Sequence, residues 1–136
     1  MKILIGMDDS TFSKRALEYV ARIRWPAGST VLVASVLRPI FGASADREVD
    51  RKKFHDSLVE RAVQCPRAAG LATETRLLEG EPGDALVSAA AAERCDLLVV
   101  GSRGRSGLAK LLLGSVANHV VAHAPCSVLV VKQNGH

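Results

Sequence analysis

The stretch LLVVG at residues 97–101 decides the fold, because it carries a short apolar run directly into a glycine. Three similar runs occur elsewhere: ILI at residues 3–5, VLVA at residues 31–34 and VLVV at residues 128–131. All four are continuous and mostly rich in β-branched residues, which is typical of strands buried on both faces of a sheet. A weaker run at residues 72–78 alternates two sets of side chains and predicts an edge strand.

The segments between these runs change to helical spacing. Apolar residues three or four apart predict four helices. The first runs from an N-cap at Ser10 to about residue 23, and the second is marked by apolar residues within 54–63 and ended by Pro66. The third runs from Pro82 to about Arg94, and the fourth from about Ser115 to His123. Residues 37–46 contain Pro39 and Gly42 and predict a mobile loop.

Strands that alternate with helices imply βαβ units. The predicted fold class is therefore α/β, an open five-stranded parallel sheet with helices on both faces. No repeat or linker divides the chain, so residues 1–136 are predicted to form one domain.

Composition excludes several classes of protein. With 48% hydrophobic and 24% charged residues, the chain is typical of a globular domain and not of a disordered segment. Three cysteines, Cys65, Cys95 and Cys126, cannot pair completely, which excludes a disulfide scaffold and predicts a reduced, cytoplasmic setting. Only five apolar residues separate Lys2 from Asp8, too few for a signal peptide, and no run approaches the ~20 residues of a membrane span.

The net charge of +4 predicts attraction to an anion. Nucleic acid is disfavoured as the main partner, because aromatic residues are only 4% of the chain and do not interleave with basic ones. A phosphate ester is the more economical use of this charge, provided that the chain offers a site for it.

Ligands of open parallel sheets bind beyond the carboxyl ends of the strands, where the strand order reverses. The segments to inspect are therefore residues 6–10, 36–39 and 101–115. The third is the most informative, because its glycines can adopt positive φ and bring backbone N–H groups close to an anion; they are Gly101, Gly104 and Gly107.

The end of the same segment adds a helix start and positive charge. Gly114 precedes Ser115, which is predicted to be the N-cap of a helix whose unpaired N–H groups and dipole favour anions. Arg103, Arg105 and Lys110 can offset phosphate charge. Backbone donors, a helix end and cations together predict a polyphosphate site.

The spacing Gly101-x2-Gly104-x9-Gly114-Ser115 fits neither the Walker A loop nor the Rossmann fingerprint. It resembles the signature G-x2-G-x9-G-[ST] of the ATP-binding branch of the universal stress proteins. The resemblance covers nearly the whole chain, including residues 3–10, the Gly80-x-Pro82 turn and residues 124–131.

This resemblance implies a Rossmann-like, adenine nucleotide α-hydrolase-like fold with strand order 3-2-1-4-5. It also implies an ATP site, often with a divalent ion such as magnesium or manganese. Asp8 would contact the adenosine, the Val36 backbone would hold adenine, Gly101 would lie near the ribose, and the phosphates would be held by Gly104, Gly114, Ser115 and the Val116 backbone. Similar proteins commonly dimerise through the last strand, which is Cys126 to Lys132 here.

One residue departs from the family pattern. Asp9 stands where the family usually has glycine. Its carboxylate could repel a triphosphate, help to hold magnesium or point to solvent, and the sequence does not choose between these.

Each candidate also has a purely structural interpretation. Residues 101–115 could form a tight strand-to-helix turn, and Asp8 could cap a helix. His119 and His123 lack a third ligand, so no metal site is predicted there, and no catalytic nucleophile–base signature is present in the sequence.

The leading interpretation is a cytoplasmic homodimeric binding module in which bound ATP changes conformation or partners, with little or no turnover. Two alternatives stay open: a slow ATPase or adenylyl-transferring enzyme on the same fold, and an interaction protein that binds no nucleotide.

The glycine spacing yields a first prediction. Gly104→Val should weaken ATP binding by more than about tenfold, because a branched side chain blocks backbone approach to a phosphate. Ser115→Ala should cost less, ~1 kcal/mol, as expected for one neutral hydrogen bond. Calorimetric titration measures both, with circular dichroism to verify the fold; unchanged affinity in Gly104→Val would contradict the assigned loop.

Overall fold

Five strands form one parallel sheet. In the computed structural model, which describes residues 1–103 and 113–133, they are β1 (Lys2–Met7), β2 (Thr30–Leu37), β3 (Ala72–Glu79), β4 (Leu97–Gly101) and β5 (Ser127–Val131). Their order across the sheet is β3-β2-β1-β4-β5, and every neighbouring pair is parallel. The predicted α/β fold and strand order are confirmed, and the alternating run at residues 72–78 is an edge strand as predicted.

The helices of the described residues are α1 (Thr11–Arg22), α2 (Ala45–Ala62), α3 (Gln64–Ala68), α4 (Pro82–Ala92) and α5 (Ser115–His123). Two predictions about the second helix were wrong. Pro66 does not end it but lies inside α3, where the first turn tolerates a residue without an N–H donor. The predicted loop is also shorter, because α2 already begins at Ala45, where the Ser44 hydroxyl accepts a bond from the Arg47 N–H.

The helix starts show one prediction confirmed and one corrected. Ser10 is the N-cap of α1, and its Oγ accepts a bond of 3.2 Å from the Ser13 N–H. The N-cap of α5 is Gly114, with φ −73°, and Ser115 is the first helical residue. The prediction that Ser115 is the N-cap was therefore wrong by one residue.

The sheet separates two apolar layers. One face, with Ile3, Val31 and Val99, packs against α1, α2 and α3, and the other, with Leu4 and Leu98, packs against α4 and α5. Successive side chains of a strand point to opposite faces, so a strand covered on both sides must be apolar at every position. No helix in the two described ranges is long and apolar enough to cross a bilayer.

The C-terminal end of α4 is fixed to the sheet by an ion-pair cluster. The Glu93 carboxylate accepts bonds of 2.9 Å from Lys2 Nζ on β1 and from Arg76 Nε on β3. The hydrogen bond from Lys2, and after it the one from Arg76, lowers the pKa of Glu93 below its ordinary value. The cluster joins a central strand, an edge strand and a helix at one carboxylate.

The lowered pKa predicts a pH dependence of stability. A carboxyl group whose pKa is lower in the folded chain stabilises it above the unfolded value of about 4.3, and that contribution disappears as the pH falls through the folded value. Glu93→Gln should therefore give a flatter decline of the unfolding free energy on acidification from about pH 6 to about pH 3. Urea denaturation across that range measures it, with the exposed Glu60→Gln as the control. Curves for Glu93→Gln that run parallel to the wild type would contradict the assignment.

Candidate functional site

A cavity of about 800 Å³ opens at the carboxyl edge of the sheet, beyond β1. The pairing of β1 with β4 extends to Ile5↔Val99, and its pairing with β2 extends to Met7↔Ser35. Beyond β1 the chain enters α1 in one helical layer, and beyond β4 it enters α5 in the other layer. This divergence leaves a gap between the two layers at the end of β1. The volume lies in the range of small-molecule sites.

The cavity is lined from both helical layers and from three strand ends. The segments after β1, β2 and β4 contribute Asp8, Arg38 and Arg103, and the helices contribute Arg51, Phe54, His55, Leu86 and Val116, among others. Charged groups of both signs therefore line the cavity together with apolar side chains.

The structure brings most of the predicted site residues together. Those that line the cavity are Asp8, Val36, Gly101, Arg103 and Val116. Gly114 and Ser115 are not among the described lining residues. The remaining predicted residue, Gly104, lies outside the described residues, as do Gly107, Arg105 and Lys110.

Asp8 organises the turn between β1 and α1 and lines the cavity as well. Its Oδ1 accepts a 2.9 Å bond from the Ser10 N–H and a short bond from the Ser10 hydroxyl. Ser13 Oγ donates to the Asp8 carbonyl at 2.8 Å. A carboxylate offers about four acceptor sites, so these bonds leave capacity for a ligand donor. Asp9 is half-buried and is not among the described residues lining the cavity.

Val36 lines the cavity, and the hydrogen bonding of its neighbours gives the direction of its main-chain carbonyl. The Leu37 carbonyl accepts a 3.0 Å bond from the Gly80 N–H, on the β3 side of β2. Because successive carbonyls of a strand alternate in direction, the Val36 carbonyl is directed to the other side, toward β1. The last pairing there is Met7↔Ser35, so this carbonyl lies at the end of the ladder. The Val36 side chain packs in the core beside α4 and α5, as predicted.

Gly101 is required by packing rather than by an unusual backbone angle. Positive φ is the expectation from sequence for the glycines of this segment, yet Gly101 does not lie in the left-handed region. A Cβ on Gly101 would lie 2.7 Å from the carbonyl carbon and from the Cβ of Phe12. The missing side chain therefore allows the first turn of α1 to approach the end of β4.

Three guanidinium groups line the cavity, and sequence reasoning identified only one of them. Arg103 lies over the Phe12 ring, 5.9 Å from its centroid. Arg38 follows β2, and its Nη2 is 3.7 Å from Glu81 Oε2. From the sequence alone, the charge run Arg51-Lys52-Lys53 predicts one solvated face of the second helix. Only the two lysines are exposed, whereas the Arg51 side chain is 23% exposed and lines the cavity.

The remaining cysteines and histidines fit structural roles. Burial raises the pKa of the Cys65, Cys95 and Cys126 thiols, so at neutral pH they are not reactive thiolates. The Nε2 of His119 lies 2.9 Å from Asp84 Oδ1. Within the described part of the chain, no three potential metal ligands come together.

Comparison with known proteins decides the family. The sequence profile of the Universal stress protein family matches residues 1–132. The chain belongs to this family. A universal stress protein of Thermus aquaticus, from the QAH/OAS sulfhydrylase 3′ region, is 32% identical over 133 residues, which cover 96% of this chain and 97% of the relative.

Solved structures of universal stress proteins share the fold. One in complex with cAMP superposes with a TM-score of 0.77 and 31% identity over 96% of each chain. The Archaeoglobus fulgidus protein in complex with dAMP superposes with a TM-score of 0.73 and 28% identity, over 97% of this chain and 98% of that one. Both of these relatives were solved with an adenine mononucleotide.

The packing at Gly101 generates a prediction. Gly101→Ala should destabilise the fold by about 2 kcal/mol, because the added methyl group meets the backbone of α1, which cannot move alone. Gly6→Ala is the matched control, since the atoms nearest to its Cβ would be side-chain atoms, the nearest being the movable Leu86 Cδ1 at 2.9 Å. Urea denaturation of both variants makes the comparison, and an equal loss of stability would contradict the packing argument.

Proposed function

We propose that this universal stress protein binds an adenine nucleotide, and ATP in particular, in the cavity beyond β1. The observation that carries the proposal is the convergence of residues from four separate segments on one cavity. Asp8 follows β1, and Val36 is the last residue but one of β2. Gly101 ends β4 and Arg103 follows it, while Val116 lies in the first turn of α5. The adenine nucleotides bound by solved relatives support the same ligand class.

We propose an orientation for the ligand in this cavity. The 6-amino group of adenine donates to the Val36 carbonyl, while the ribose hydroxyls donate to the Asp8 carboxylate. The phosphates then extend toward Arg103 and the N-terminus of α5, where a guanidinium and unpaired N–H groups favour negative charge. Gly104, Gly114 and Ser115 take part in phosphate binding through the glycine spacing alone.

A magnesium or manganese ion fits this site as a companion of the phosphates. Magnesium in nucleotide sites is coordinated largely by phosphate oxygens and water. In the proposed orientation Asp8 lies at the nucleoside end, so phosphate oxygens and water would hold the ion. The ion would neutralise phosphate charge and would leave the protein to bind the nucleoside end.

We assign the protein a regulatory binding role in the cytoplasm, with little or no turnover of ATP. In the proposed orientation Asp8 lies at the nucleoside end, and Asp50 and His55 lie on α2, which packs against β2 on the adenine side, so none of the three is placed for attack on a phosphate. Release of inorganic phosphate from ATP no faster than in a protein-free blank supports this role. Release well above the blank would instead favour a slow ATPase.

The homodimer proposal rests on β5. This strand is one edge of the sheet, and its apolar residues 128–130 are only half-buried. An uncovered apolar edge is open to pairing with another strand. We propose that residues Cys126 to Lys132 pair with the same segment of a second copy. Sedimentation velocity should give the mass of a dimer, and a monomer at micromolar concentration would contradict the pairing.

Binding itself is tested by two measurements on the full chain. Nucleotide extracted from freshly purified protein should be an adenine nucleotide, and apoprotein with magnesium should bind ATP in a calorimetric titration. Apoprotein that is folded but shows neither heat nor a melting shift would contradict the proposal and favour an interaction protein without nucleotide.

Asp8 supplies the matched variant for this experiment. Asp8→Asn should weaken ATP binding about tenfold, because a bond to a charged acceptor is replaced by a weaker neutral one. The exposed Asp56→Asn changes the net charge equally and should bind like the wild type. Equal affinity of the two variants would remove Asp8 from the site.

A further inference from the structure

Helix α2 is connected to β2 by two side chains that lie one turn apart. His55 Nδ1 lies 2.5 Å from Ser35 Oγ, and Arg51 Nη2 donates to the Arg38 carbonyl. Ser35 directly precedes Val36, and Arg38 follows it by two residues. The helix therefore holds the side chain of the residue before Val36 and the main-chain carbonyl two residues after it.

The side chains that make both connections have little freedom to move. Ser35 is only 1% exposed, and a buried hydroxyl needs a hydrogen-bond partner, which His55 provides. The Arg51 guanidinium is held a second time by Glu48 Oε1, at 3.0 Å and one turn earlier on α2. A guanidinium with two partners loses most of its rotational freedom and keeps a fixed direction.

The opposite side of the same segment is fixed as well. The Leu37 carbonyl is bound by the Gly80 N–H after β3. Residues on both sides of Val36 are therefore anchored, two by α2 and one by the segment after β3. These anchors restrict movement of the main chain around Val36, and with it the movement of the Val36 carbonyl.

We infer that Arg51 and His55 are positioning residues that determine which purine the cavity accepts, an inference that rests on the proposed adenine nucleotide site. They hold the Val36 carbonyl where the 6-amino group of a purine donates to it. A 6-oxo purine brings a second acceptor to the same place, and two facing acceptors leave both groups without a donor. The cavity therefore selects 6-amino purines over 6-oxo purines, and this selectivity depends on the two side chains of α2.

The test compares ATP with inosine triphosphate, which carries an oxo group in place of the 6-amino group. The wild type should bind ATP more tightly, and Arg51→Gln should reduce the ratio of the two affinities about tenfold, roughly the value of one hydrogen bond. Ser35→Ala should reduce the ratio through the loss of the His55 anchor. Arg51→Lys should restore part of it, and the exposed Lys52→Gln should not change it.

The ratio separates positioning from a general loss of stability, which lowers both affinities together. If Arg51→Gln and Ser35→Ala bind both nucleotides more weakly at an unchanged ratio, the inference is overturned. A wild type that binds the two nucleotides equally overturns it too, while the binding site itself stands. A wild type that binds neither nucleotide overturns the proposed function first.

Discussion

The reversal of strand order at β1 is the constraint from which the site follows. The chain passes from β1 to β2 through α1 on one face of the sheet, and from β4 to β5 through α5 on the other face. The helical layers separate at this point, because a helix cannot cover both faces at once. The cavity, the turn at Asp8 and the main-chain end of β2 all lie at that one edge. The rest of the fold serves to keep this edge open and rigid.

Two kinds of contact maintain the edge. Gly101 allows α1 to approach β4 to a distance that no side chain would permit, which fixes one wall. The contacts of His55 with Ser35 and of Arg51 with the Arg38 carbonyl fix the other wall through polar groups rather than apolar packing. At the far end of α4, the Glu93 cluster connects β1 and β3. A ligand would therefore meet a largely preformed site, which reduces the entropy that binding must overcome.

The sequence predicted the parts of the fold that apolar burial dictates. Continuous apolar runs marked the buried strands, and the family resemblance supplied their order. The start of α2 was missed because residues 45–50 are mostly polar and show no apolar period. Arg51 was misassigned for a related reason, since a charge run does not reveal which member turns inward. The role of Gly101 depends on the distance to Phe12, which no spacing of residues along one segment encodes.

The central claim is that an adenine nucleotide lies between the ends of β1, β2 and β4. Titration of ¹⁵N-labelled protein with AMP, followed by amide chemical shifts, tests it most directly. We expect saturable shifts in the residues that follow these three strands and at the start of α5, with the signals of β5 unchanged. Shifts confined to β5, or none at saturating nucleotide, would contradict the account.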